Sequence, residues 1–386
     1  MCITKDRLYT TKKLDLSKHK LFDFDNTEKN TQRFDILKYP KIDKINDLML
    51  SFFWRPEEIS MNKDASDYAS NSDFYEQFIV TEQLKKLVML DSLQGRSPIF
   101  TFGQITSNPE FENAILTWDF FEGAIHSRSY SYNIQSMYPD PSIVFDETFN
   151  NTLLMRHTKT IIRDYNIFYN SVIDYLSNPS KYKNHTSNSS IANFKRELLM
   201  ALISVNILEG IRFYSGFASV WSLTEFRNIF PGTSKILQLI SRDENCHLSL
   251  TQYIINQLRK NDEEGFTEIF KSCESQIYDM YFQASEEEFE WIDYLMQHGS
   301  PLGINANIAK EYIKYLTNNR LKAIGLRIIY PGVSKNPVPW INNWLHFGST
   351  EGALQEIESI DYKSGALSMG DVDYSKFFKF NENRGE

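Results

Sequence analysis

Cysteine is nearly missing from this 386-residue chain: Cys2, Cys246 and Cys273 are its only three. They are too few and too scattered for a disulfide framework or a CxxC zinc site, and a reducing compartment suits such a chain. Basic charge is also short. With 41 Lys and Arg against 50 Asp and Glu, the formal net charge is −9 and the pI is near 5.4, so the clustered cations that nucleic acid or an anionic membrane surface demands are not to be expected. No run approaches the about 18 apolar residues that a membrane span needs. The first twenty residues mix Lys, Asp and Arg with no apolar stretch, and a cytoplasmic protein is the expectation. Strand-type alternation with paired turn signals is nearly absent, and neither a Gly-rich phosphate loop nor a repeat of fixed period occurs.

What is present is helical period. Apolar residues recur at three and four spacing near 72–97, 109–137, 151–178, 190–220, 233–259, 263–298 and 305–324, which predicts a bundle of long helices and an all-α fold. Pro98, Pro109, Pro139, Pro231 and Gly232 fall between these segments. Aromatics are abundant, with 28 Phe, 21 Tyr and 6 Trp, enough for a thick core or for electron transfer. Three parts follow: an N-terminal arm over 1–45, a helical domain over 46–345, and a tail over 346–386. The arm is polar and irregular. The tail is rich in Gly, Ser, Asp and Glu with isolated aromatics at Tyr362, Tyr374, Phe377, Phe378 and Phe380, a pattern that predicts a mobile segment docking on a partner.

Four of the helical segments carry carboxylates and histidines among apolar residues: Asp91; Glu122 with His126; Glu209; and Glu244 with His247. Glu244 and His247, three residues apart, share one helical face and can reach one metal. An isolated pair of this kind is more often a solvated charge beside a satisfied histidine, and salt bridges to Arg96 and Arg212 would explain Asp91 and Glu209 singly. Neither explains the ordered set. A buried carboxylate without a partner costs several kcal/mol, and a bundle that brings carboxylates and two imidazoles between four helices suits two hard cations. Cys246, beside His247, points about 100° away from it on a helix and reads as a small buried hydrophobe rather than a ligand.

The strings Ser51 to Glu58 (SFFWRPEE), Asp91 to Pro98 (DSLQGRSP), His126 to Tyr130 (HSRSY), Val205 to Tyr214 (VNILEGIRFY), Arg242 to Glu244 (RDE) and Asn336 to Trp344 (NPVPWINNW) resemble, in order, the small subunit of class I ribonucleotide reductase. The resemblance implies a ferritin-like helical bundle with a dimetal-carboxylate site that activates oxygen to make a tyrosyl radical, which is passed to a large subunit for the reduction of ribonucleotides. It implies Asp91, Glu122, His126, Glu209, Glu244 and His247 as metal ligands, for iron first and for manganese with iron as the alternative. Tyr130 would hold the radical, one helical turn from His126 and so about 6 Å from it. Phe213, Phe217 and Ile240 would form the apolar shell around it. Trp54, Asp243 and His126 match an inner radical path, Tyr362 and Glu356 an interfacial handover in the tail, and Glu58 a gating carboxylate. A homodimer and a large-subunit partner held through the tail complete what the resemblance implies.

One spacing departs from the pattern. The family has Glu-x-x-His in the second ligand helix, whereas this chain has Glu122 and His126 four apart. At about 100° per residue, a straight α-helix would aim Glu122 away and put Gly123 in its place. Either a one-turn π-bulge absorbs the extra residue, with Gly123 easing the backbone, or five protein ligands remain and something else fills the gap. Two other functions stay open at this point. A dimetal oxidase of the same fold would show a substrate cavity where Phe213 and Phe217 are expected to pack, and a degenerate, metal-free interaction protein would follow if the extra residue abolished binding.

Overall fold

The computed structural model describes residues 9–345, apart from 23, 25–27, 183–188 and 262. Helices are the only regular structure among the described residues, as the period predicts. The Asp91 helix, Phe74–Gln94, opens on a capping box in which the Asp73 N–H donates to Glu76 Oε2 at 2.8 Å, closing two otherwise free backbone groups. The Glu122 helix runs over 109–137 in three parts: α-helical Pro109–Phe120, a π turn Phe121–His126, and α-helical Ser127–Met137. Pro109 occupies its first position, and the Asn108 side chain accepts from the Phe111 N–H at 3.0 Å, the arrangement a helix start favours. The Glu209 helix, Ser189–Arg227, contains a second π turn at Leu208–Arg212. The Glu244 helix, Pro231–Asn261, begins where Asn228 and Phe230 take positive φ of 52° and 57°. Its first free N–H groups are met from a distance: Asp64 accepts from Gly232 and Thr233 at 2.8 and 2.6 Å, and Asp67 from Phe230 at 3.0 Å.

Helices Thr152–Ser177, Thr267–Leu295 and Ala306–Ala323 surround these four. The Glu209 helix runs through the middle and packs on all three of these and on the Asp91 and Glu244 helices. By length and composition it is apolar enough to cross a membrane, yet its apolar window is wholly buried in the bundle, so it is the core helix. Polar residues interrupt the window, which is why no continuous apolar run shows in the sequence. Each large side chain fully buried here, among them Trp118, Trp221, Trp291 and Phe111, contributes roughly 1.5–3 kcal/mol or more.

Two features differ from the sequence reading. The stretch read as an arm is partly built into the fold: helix Pro40–Ser51 begins at the expected Pro40 break, and before it Phe22 is fully buried, edge-on to Phe111 with ring centres 5.4 Å apart. Glu264 holds it there by accepting from the Leu21 and Phe22 N–H groups at 3.0 and 3.1 Å. Second, Lys86 and Glu288 form an ion pair deep in the core at 2.7 Å, with the Ser215 hydroxyl donating to Glu288 at 2.5 Å. This clamp joins the Asp91 helix, the Glu209 helix and Thr267–Leu295.

Candidate metal centre

The π turn at Phe121–His126 is the structural answer to the extra residue. Its wider winding lets Glu122 and His126, four apart, point the same way, and His126 Nδ1 lies 3.2 Å from Glu122 Oε2. The turn lies against the end of the Asp91 helix with backbone touching backbone. A Cβ on Gly95 would stand 3.0 Å from both Cα and N of Gly123, whereas a Cβ on Gly123 would meet only the Gly95 carbonyl at 3.5 Å. Gly95, rather than Gly123, is therefore the glycine that the close approach requires. Side-chain donors also reach carbonyls of the two π turns: Ser127 Oγ donates to Glu122 O at 3.1 Å, beside the Ser127 N–H, and Arg320 Nε to Gly210 O at 3.1 Å.

Six groups converge between the four helices, all with no solvent exposure. Asp91, Glu122, His126 and Glu244 bring one ligand atom apiece within 4.8 Å of one another, and so do Glu122, Glu209, Glu244 and His247. Glu122 and Glu244 belong to both groups, the arrangement in which two carboxylates bridge two cations while each cation keeps one imidazole and one further carboxylate. The salt bridges weighed from the sequence do not form. Arg96 donates to the Ser92 carbonyl, and Arg212 pairs with Glu287 at 2.6 Å.

Buried polar atoms left without hydrogen-bond partners collect here: both oxygens of Asp91, Glu209 Oε2 and His247 Nε2, while Glu244 Oε1 faces His126 Nδ1 at 3.1 Å. Each costs on the order of 1–3 kcal/mol if nothing satisfies it. Burial, with the neighbouring Glu122 and Glu244, pushes Asp91 well above the ordinary carboxylate range, and burial with Glu244 and Glu122 does the same to Glu209. Burial opposes the charge on Glu122 too, but His126 and His247 outweigh it and hold that carboxyl at about 2. Conversely, burial lowers His247, and Glu122 with Glu244 overcomes it to bring the imidazole up to about 9; His126 rises well above its usual value against the same penalty, through Asp243, Glu122 and Glu244. The cluster thus retains protons that cations would displace. The donors fit a pair of metal ions.

Beyond the six, Asp243 takes the indole N–H of buried Trp54 at 2.8 Å and faces His126 Nε2 at 3.2 Å through the same oxygen, while Arg242 holds its other oxygen at 3.1 Å. Trp54, Asp243 and His126 therefore form one connected line into the cluster. Tyr130 is fully buried, its hydroxyl near Asp91 but outside hydrogen-bond geometry, and burial together with the Asp91 charge raises the phenol well above its usual value. Phe213, Phe217 and Ile240 are fully buried, with Phe213 and Phe217 ring centres 6.0 Å apart and Phe217 packed on Trp221 at 5.4 Å. Glu58 lies half-buried in the short turn Pro56–Glu58 and is not one of the clustered groups. Tyr362 and Glu356 lie outside the described residues. Burial drives the Cys246 thiol up to about 12, which suits the inert role read from its position.

Comparison with known proteins decides the family. A family model described as ribonucleotide reductase, small chain, matches residues 33–337. The chain belongs to the ribonucleotide reductase small-chain family. It is 39% identical over 358 residues to the ribonucleoside-diphosphate reductase subunit beta of Buchnera aphidicola subsp. Baizongia pistaciae, covering 90% of this chain and 93% of that one. With ribonucleoside-diphosphate reductase 1 subunit beta of Escherichia coli O157:H7 it shares 38% identity over 346 residues, covering 88% and 90%. Among solved structures, the ribonucleotide reductase R2 subunit from Clostridium botulinum aligns at TM-score 0.69 and 30% identity, over 82% of this chain and 91% of that one. The dimanganese(II)-NrdF of Streptococcus sanguinis, at TM-score 0.63 and 20% identity over 82% and 99%, shares the fold. The ferritin-like bundle implied by the sequence motifs is the fold of this family member.

Sequence reasoning missed three neighbours of the cluster. Trp118 donates to Glu122 Oε1 at 3.2 Å and packs on the His247 ring at 5.6 Å. Gln94 donates to Glu209 Oε1 at 2.8 Å, and Tyr165 donates to Gln94 Oε1 at 2.5 Å. Trp118 and Gln94 sit four and three residues along their helices from Glu122 and Asp91, so helical spacing could have flagged both. Nothing in the sequence points to Tyr165.

Proposed function

We propose that this chain is the radical-generating subunit of a ribonucleoside-diphosphate reductase, working with a large subunit that binds and reduces the nucleotide. The observation that carries the reading is the pair of four-residue groups sharing Glu122 and Glu244, with Tyr130 buried beside Asp91. Asp91, Glu122, His126, Glu209, Glu244 and His247 would hold two metal ions, with Glu122 and Glu244 common to both groups of donors; iron is the first choice and manganese with iron the second, since the same oxygen and nitrogen donors accept both. The metal pair, when bound, supplies oxygen activation and so the oxidising power that converts Tyr130 to a radical.

The remaining work falls to the chain itself. Asp243 accepts from Trp54 and fixes the orientation of the His126 ring, as carboxylates behind ligating imidazoles do, and the same contacts support Trp54, Asp243 and His126 as a route for the oxidising equivalent. Burial keeps water from Tyr130, with Phe213, Phe217 and Ile240 as its apolar shell. Tyr362 and Glu356 would carry the handover at the subunit interface, the tail would dock on the large subunit, and Glu58 would gate access to the site. A homodimer and a cytoplasmic setting accompany this reading.

The Trp54→Phe variant tests it in the holoenzyme. The ring is kept and the N–H to Asp243 is lost, so metal content and a Tyr130 radical formed on loading should remain near the wild type while nucleotide reduction with the large subunit collapses. Wild-type turnover in Trp54→Phe would remove Trp54 from the route.

A further inference from the structure

We infer that Tyr165 is a positioning residue for the metal centre, setting through Gln94 the oxygen that Glu209 presents to its metal. The inference rests on the reading that Glu209 is a ligand. Thr152–Ser177, which carries Tyr165, contributes none of the six converging groups, yet it reaches the centre in two hydrogen bonds. The Tyr165 hydroxyl donates to Gln94 Oε1 at 2.5 Å, and Gln94 Nε2 donates to Glu209 Oε1 at 2.8 Å. Gln94 is the last residue of the Asp91 helix, so this amide ties three helices together at the ligand.

The chemistry follows from the amide's two ends. A glutamine beside a carboxylate stabilises it only with its NH2 turned inward; turned over, it sets a carbonyl against a carboxylate oxygen. Tyr165 biases that choice, because its hydroxyl donates to the amide oxygen and leaves the nitrogen for Glu209. Glu209 Oε1 is thereby engaged, and Oε2, buried and without a partner, is the oxygen left to bind a cation. Trp118 donates its indole N–H to Glu122 Oε1 at 3.2 Å and also bears on Glu209, but from the Glu122 helix and not through the Gln94 amide. Tyr165 is only 7% exposed and forms the inner wall of an open cleft with Leu93, Phe100, Ile162 and Tyr169. The Tyr165 and Gln94 pair is thus the layer between that cleft and Glu209.

The test is an anaerobic titration of the full-length metal-free chain with Mn(II) alone, reading unbound Mn(II) by EPR, in wild type, Tyr165→Phe, Gln94→Met and the double variant. Wild type should take two ions per chain. Tyr165→Phe should keep its melting temperature and one site, and lose about ten- to hundredfold in affinity at the other, the usual cost of losing a partner behind a ligand. In the Gln94→Met background, Tyr165→Phe should change nothing further, which a merely structural tyrosine would not satisfy. Two wild-type affinities in Tyr165→Phe, or an undiminished Tyr165→Phe effect without Gln94, overturns the inference. If Tyr165→Phe does not fold, Gln94→Met decides alone: it must weaken one ion and spare the other. Failure of the wild type to bind Mn(II) overturns the metal reading itself.

Discussion

Gly95→Ala is the most informative single change to the architecture of the site. Its new methyl would stand 3.0 Å from Gly123 Cα and N and 3.1 Å from Asp91 O. All three are backbone atoms, with no flexible side chain to swing aside. Relief requires the end of the Asp91 helix and the Phe121–His126 π turn to move apart by several tenths of an ångström. Overpacking of this kind costs about 1–3 kcal/mol, and the movement acts directly on Asp91 and Glu122. Gly123→Ala is the matched control, because its methyl meets only a carbonyl at 3.5 Å and the helix gains up to about 1 kcal/mol from replacing glycine. Denaturant unfolding of both metal-free variants, with metal counted after loading, is the assay. Gly95→Ala should be destabilised by about 1–3 kcal/mol and hold fewer than two ions, and Gly123→Ala should match or exceed the wild type. The reverse order, or a Gly95→Ala protein with full stability and both ions, refutes the reasoning.

Two further outcomes follow. His247 titrates at about 9 in the folded metal-free chain against 6.5 for the free group, so its stabilising contribution is complete below pH 6.5 and is lost as pH rises through about 9. Asp91 and Glu209, also raised, lose their stabilising contribution in the same direction as pH rises. Thermal melts of the metal-free protein should therefore weaken from pH 6.5 to 9 while the stabilisation by added metal grows, and a metal effect independent of pH would contradict the proton-for-metal exchange. At the buried clamp, Lys86→Met leaves Glu288 charged and unpaired and should cost about 3–5 kcal/mol. Adding Glu288→Leu should recover most of that in denaturant melts; a double variant worse than the single would assign the pair a net stabilising role.

The sequence made the long helices legible because three-and-four spacing survives over whole segments: 109–137 has the predicted ends and 152–177 falls one residue short at each. It also made the problem at Glu122 legible, since a four-residue spacing cannot serve the same direction in a straight α-helix. Which remedy the chain uses was open, because the Gly95 contact that accommodates the π turn joins residues 28 apart. The second π turn, at Leu208–Arg212, leaves no trace in the spacing of its stretch, and its Gly210 carbonyl accepts from Arg320, 110 residues away. Long-range partners are invisible for the same reason: Tyr165 lies 71 residues from Gln94, and Phe22 reaches the core from a polar arm. The roles of Tyr362 and Glu356 rest on the family resemblance alone.

The central claim is that this site holds two metal ions that oxidise Tyr130. The direct measurement is to load the metal-free protein anaerobically with ferrous iron, admit oxygen, and record metal content and a low-temperature EPR spectrum beside Tyr130→Phe. Two ions per chain, the capacity of such a bundle site, and a tyrosyl signal that vanishes in the variant are the predicted result. Two ions with no radical, or the same signal in Tyr130→Phe, would contradict it.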